Sequence, residues 1–98
     1  MPDFILLMHN DGHGPENEAA WDAYISGLQA QGLFQGGSAI GVGTCVRKAG
    51  GVPDVSAHLT GFIRVSASDL AHAKRLVVGN PVYEAGGTVE VRELPVTG

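Results

Sequence analysis

Five consecutive apolar residues, Phe4-Ile5-Leu6-Leu7-Met8, constrain this chain more than any other feature. Side chains of a strand alternate between its faces, so Phe4, Leu6 and Met8 share one face and Ile5 and Leu7 the other. Both faces need cover, which predicts a central strand. A chain of 98 residues has material for one core, burying roughly two-thirds of its unfolded surface. What covers the second face is therefore the main architectural question.

Helical signals follow. Pro15 suits a first helical position, and Glu16 and Glu18 suit the positive end of a helix dipole. Trp21, Tyr24, Ile25 and Leu28 fall at i, i+3, i+4 and i+7, which predicts a helix over 15–31 with one apolar stripe. Gly32 ends it at C′, with Leu33 at C″ closing over Leu28 as in a Schellman motif. A second helix is predicted after the N-cap hydroxyls and acid of Ser66-Ala67-Ser68-Asp69, with Leu70, Ala73, Leu76 and Val77 inward and Lys74 and Arg75 at its negative end. Gly79 stops it, and Asn80-Pro81 should prevent it from resuming.

Between the helices, Ile40, Val42 and Val46 share a parity, which predicts a strand within 37–47 that Gly41 and Gly43 bend or split. Val52-Pro53-Asp54 can be at most an edge strand, because Pro53 has no N–H to donate. Leu59 to Val65 and the alternating Thr88 to Arg92 read as further strands. The glycine doublets at 36–37, 50–51 and 86–87 read as turns. The order β-α-β-β-α-β predicts an α+β, ferredoxin-like fold, an antiparallel sheet with two helices on one face. It forms a single domain over 1–98, of which 95–98 is a short C-terminal tail. Two helices cover one face only, so a second copy of the chain is expected on the other, giving a homodimer.

Charge and cysteine content narrow the partners. The net charge is −4, and the six basic residues are scattered. Nucleic acid recognition needs clustered Lys and Arg, so no nucleic acid partner is expected. Cys45 stands alone and cannot close an intramolecular disulfide. Met1-Pro2-Asp3 lacks a basic leader, and the apolar run 4–8 is too short for a membrane span, so the expected setting is cytoplasmic, with no membrane partner.

Several strings resemble the YCII-related family of small bacterial proteins, also called the DGPF domain family. They are Phe4 to Met8, Trp21-Asp22-Ala23-Tyr24, Leu59-Thr60-Gly61-Phe62 and, most specific, Asn80 to Leu94. The resemblance spans nearly the whole chain and implies a ferredoxin-like fold that dimerises into an α+β barrel. An enzymatic role has been suggested for the branch with a His in the first helix and an Asp beside the late proline. Those places hold Trp21 and Asn80 here, so the acid-base pair is not carried over. The DGPF tetrapeptide is also missing from the corresponding 52–58, which marks a divergent member.

Candidate chemistry gathers around a pocket expected between sheet and helices, near His9, Trp21, Tyr24, His58 and Tyr83. Trp21 and Tyr24 read either as core or as pocket walls offering an indole N–H and a phenol O–H. Asn80 and Tyr83, flanking Pro81, are further pocket candidates, although turn chemistry alone accounts for Asn80-Pro81. His9 and His58 are the candidate general acid or base, since imidazole titrates near neutrality; both also read as ordinary surface histidines. His9, Asp11 and His13 alternate after the first strand, a donor set suited to zinc or iron if extended and a solvated turn if Gly12 and Gly14 bend it. The helix start beyond them offers free N–H groups to an anion. No cofactor motif is present, and none is expected. Two functional readings stand: a small-molecule-binding domain or cofactor-independent enzyme, and a non-catalytic dimeric module with a structural or regulatory role.

Overall fold

The apolar run lies in β1 (Asp3–His9), an inner strand of the sheet. The computed structural model describes residues 1–96; positions 97 and 98 of the expected tail lie outside the described residues. After β1 come α1 (Glu18–Ala30), β2 (Phe34–Ala39), β3 (Leu59–Ser66), α2 (Leu70–Arg75), α3 (Pro81–Glu84) and β4 (Val89–Leu94). The fold is α+β, and its four strands pair antiparallel in the order β2-β3-β1-β4.

One face of β1 makes the core. Phe4, Leu6 and Met8 are buried with Ile63 and Val65 of β3, Tyr24 and Leu28 of α1, Ala73 of α2, Val77, and Val82 of α3. All three helices therefore pack on this face. Burying each such large apolar side chain contributes about 1.5–3 kcal/mol. The opposite face is different. Ile5 and Leu7 are half-buried there, with Phe62 opposite Leu7 and with Arg64, Glu90 and Arg92 in register beside them.

The ends of α1 divide between expectation and correction. Its C-terminus has the Schellman pattern: Gly32 takes φ +71°, Gly32 N donates to Gln29 O at 2.9 Å and Leu33 N to Leu28 O at 3.0 Å. Its N-terminus lies later than Pro15. Asn17 caps it, the side-chain Oδ1 accepting from Ala20 N at 2.7 Å, and satisfying a free amide outweighs the good fit of a proline. At α2 the capping group is the Asp69 carboxylate, which accepts from His72 N at 2.8 Å, rather than a serine hydroxyl.

Two further expectations are corrected. The second strand occupies Phe34–Ala39, earlier than the 37–47 predicted. Pairing to β3 runs out where Ile40 N donates to Thr60 O, because β3 itself begins at Leu59. Beyond that point the chain is irregular to residue 58, Val52-Pro53-Asp54 forms no strand, and Val42 and Val46 are 108% and 92% exposed instead of lining a buried face. Cys45 is partly exposed within this segment. The radius of gyration, 14.9 Å, exceeds the ~12.6 Å of a compact chain of this length, as an outlying segment requires.

The other correction is a third helix. Asn80-Pro81 opens a helix: Asn80 Oδ1 accepts from Val82 N at 2.9 Å and Tyr83 N at 3.3 Å, with Pro81 in the first turn, where its missing N–H costs nothing. Among the described residues, no helix is long and apolar enough to cross a membrane.

Candidate functional site

A cavity of about 440 Å³ lies on the helix face, at the edge of the sheet where α1 overhangs β2 and β3. Trp21 and Ile25 reach it from the apolar stripe of α1, and Glu16 from the turn before the helix. Phe34, Gly37, Ser38 and Ala39 of β2 and Thr60 to Ile63 of β3 form its wall, and Met8 and Val82 complete it. Gly37 shapes that wall by close approach, since a Cβ there would stand 2.6 Å from Phe62 O.

The polar groups of the cavity are few and mostly engaged. Trp21 Nε1 donates to Glu16 Oε1 at 2.8 Å, which fixes both the indole and the carboxylate. Trp21 also sets its ring edge-on to Tyr24, with centroids 6.2 Å apart at 72°. Ser38 Oγ donates to Ala39 O at 2.9 Å and Thr60 Oγ1 to Met8 O at 3.3 Å, so both hydroxyl protons are spent on backbone. Glu16 is the one charged side chain on the wall.

Of the pocket candidates, Trp21 lines this cavity, whereas Tyr24, Asn80 and Tyr83 do not. Tyr24 is in the core, its hydroxyl donating to Leu76 O at 2.6 Å. Burial pushes its phenol up to about 12, against a smaller downward pull from the Asn80 side chain. Asn80 Nδ2 makes no hydrogen bond of good geometry, so proximity rather than a formed bond accounts for that pull. Asn80 is fully buried as the cap of α3, and Tyr83 is about half exposed.

His9 and His58 do come together, but on the other side of the sheet. Their rings meet edge to face with centroids 4.8 Å apart. His9 Nε2 lies 3.1 Å from Glu90 Oε1, and Arg92 Nη1 donates to Glu90 Oε2 at 3.0 Å. Arg92 first, and His9 second, hold the Glu90 carboxyl below the usual carboxylate range. The carboxylate orients one imidazole nitrogen, the arrangement that fixes a tautomer, yet neither histidine touches the cavity. Glu90, polar and one residue from an apolar neighbour, carried no signal of this pairing in the sequence.

The alternating His9, Asp11 and His13 separate once the loop bends at its glycines. Asp11 turns to Thr88, accepting from its N at 2.8 Å and its Oγ1 at 2.7 Å, and these bonds hold the Asp11 carboxyl below its ordinary value. His13 N donates to Ala85 O at 2.7 Å, with the ring beside Gly86. Among the described residues no group of three or more His, Cys, Asp or Glu is placed to hold a metal ion. At the helix start proposed for an anion, Asn17 already takes one amide, and Glu18 stands in the first turn.

Sequence reasoning missed Glu16, Ile25, Phe34, Ser38 and Thr60 as cavity residues. Only Ile25 carried a signal, its place on the stripe with Trp21; the others meet through the β2–β3 register. Comparison with known proteins finds no matching family model and no matching curated protein.

Proposed function

We propose that this chain is a small-molecule-binding domain of ferredoxin-like, YCII-related type, working as a cytoplasmic homodimer. The cavity between α1 and the β2–β3 edge carries the reading: about 440 Å³ falls within the ~300–1,000 Å³ of ligand pockets, and a mostly apolar wall with few polar groups is their usual lining. The strand order β2-β3-β1-β4, with the helices on one face, supports the ferredoxin-like arrangement. The half-buried Ile5, Leu7 and Phe62 on the opposite face support a second copy there. Binding is favoured over proton transfer, because the places of the family's suggested acid-base pair hold Trp21, which offers an indole face and a spent N–H, and Asn80, which caps a helix.

The chain's single tryptophan lies in the wall of the cavity and reports on it. A panel of small apolar compounds bearing amino, hydroxyl or carboxylate groups should include at least one class that saturably changes Trp21 emission and raises the melting temperature. Ligand at a hundredfold excess over Kd stabilises by about 2.7 kcal/mol, well within reach of a thermal melt. A flat response in both signals across all classes refutes the proposal.

A second reading, the non-catalytic dimeric module, is favoured by the irregular segment 40–58 and its exposed Ile40, Val42, Val46, Val52 and Val55. Long loops without secondary structure are usually either functional or linkers, and the exposed valines here suit contact with a partner. A protein that is dimeric and silent to the whole ligand panel fits this reading and not the first.

A further inference from the structure

We infer that the cavity takes a cation, a primary amine or amidinium group carried on a flat apolar body; the inference rests on the ligand-binding reading above. The argument is one of charge and donors. Glu16 is the one charged group on the wall, and it is held in place by the Trp21 indole through Oε1. That single bond leaves Oε2, and one lone pair of Oε1, open to a donor from a ligand. A charge-assisted N–H to carboxylate bond is roughly twice as strong as a neutral one.

The other wall groups point the same way. Trp21 presents a π face, which attracts a cation lying within about 6 Å of the ring centroid. Ser38 is in register with Phe62 and so turns its side chain to the opposite face, and Thr60 has its hydroxyl proton committed to Met8 O, so neither gives the cavity a free donor. An anion would meet a carboxylate and no free donor among these side chains. The net charge of −4 adds a weak field that concentrates cations and depletes anions around the molecule. The apolar remainder, Ile25, Phe34 and Met8 among it, suits a flat hydrocarbon body.

Three compounds of one shape test this at neutral pH: 2-phenylethylamine, 2-phenylethanol and 3-phenylpropionate, each titrated against Trp21 emission. Glu16 is exposed, so solvent screens the pair and the amine should bind about fivefold tighter than the alcohol, with the acid weakest, and Glu16→Gln should bring amine and alcohol to within twofold of each other. Gln keeps an oxygen acceptor for the indole N–H, and circular dichroism verifies that the variant is folded. The wild-type ranking alone decides the matter if it is not. An acid or alcohol that binds as tightly as the amine overturns the cation inference and leaves the ligand-binding reading standing. So does an amine preference that survives Glu16→Gln in the folded variant. No response to these three or to the wider panel overturns both.

Discussion

Gly37→Ala should destabilise the protein, while the same change at Gly27 should stabilise it. At Gly37 the added Cβ would meet Phe62 O at 2.6 Å, which is 0.8 Å inside the 3.4 Å of ordinary contact, and Ile63 Cα and Cγ1 at 3.2 Å. The obstacle is a backbone carbonyl of an inner strand, so it does not simply swing away. Relief comes from β2, an edge strand paired to β3 alone, which shifts outward. Overpacking of this kind costs about 1–3 kcal/mol. Against it, Ala lowers the entropy of the unfolded chain by ~0.4–1 kcal/mol, leaving a net loss of about 1.3 kcal/mol at the midpoints of the two ranges. Gly27 sits inside α1 with nothing within 4 Å of its would-be Cβ. There Ala should add about 0.5–1 kcal/mol from helix propensity. Urea unfolding followed by Trp21 emission and circular dichroism measures both, and a domain of this size moves about 4–8 °C in Tm per kcal/mol. A neutral or stabilising Gly37→Ala beside a stabilising Gly27→Ala would refute the close β2–β3 approach, and with it the floor of the cavity.

Three further outcomes follow from individual contacts. Tyr24→Phe removes the hydroxyl that reaches Leu76 O at 2.6 Å, which should cost about 1–2 kcal/mol in denaturant unfolding. Because burial raises the Tyr24 phenol from 10.0 to about 12, its stabilising effect is complete below pH 10 and is lost as pH rises toward 12; ultraviolet titration of wild type and Tyr24→Phe isolates that phenolate. Asp11→Asn should lower Tm at neutral pH, and the gap from wild type should close as pH falls below 3.8 through the depressed native value, since the Thr88 bonds favour the charged carboxylate. Leu7→Lys places a charge at the centre of the open sheet face and should convert a dimer into a monomer of 10.1 kDa in size-exclusion chromatography with light scattering; a monomeric wild type at micromolar concentration would sink the dimer proposal.

Periodicity carried most of the fold because the apolar residues sit where one physical rule dominates. The 3.6-residue stripe of Trp21, Tyr24, Ile25 and Leu28 and the Gly32 stop located α1, and the two-sided run located an inner strand. Misreadings occurred where two rules competed. Asn17 and Pro15 both suit a helix start, and the side chain that satisfies an amide prevailed. Ile40, Val42 and Val46 alternate as a strand should, but a strand also needs a partner, and β3 ends its pairing near Thr60. α2 stops at Arg75, ahead of the Gly79 stop expected for it, and Asn80-Pro81 opens another helix, the proline by its backbone shape and the asparagine by its side-chain cap. The cavity was less legible. Its walls come from positions 8, 16, 21, 25, 34, 37–39, 60–63 and 82, which only the sheet register and the overhang of α1 bring together.

Strand alternation also explains why the histidines expected at the pocket are elsewhere. Met8 and His9 are neighbours in sequence, yet a period of two sends Met8 into the core beside the cavity and His9 to the opposite face, against His58 and Glu90. A pocket containing both Trp21 and His9 would require that strand to slip by one residue, which would also expel Phe4, Leu6 and Met8 from the core. Those three residues are at most 4% exposed. The same burial that fixes the register therefore keeps the imidazoles away from the ligand cavity. It leaves the two faces of the sheet as separate surfaces, one walled by Trp21 and Glu16 and the other carrying Ile5, Leu7 and Phe62, so, on the proposed ligand-binding reading, a substitution at His9 should leave the ligand response of Trp21 unmoved.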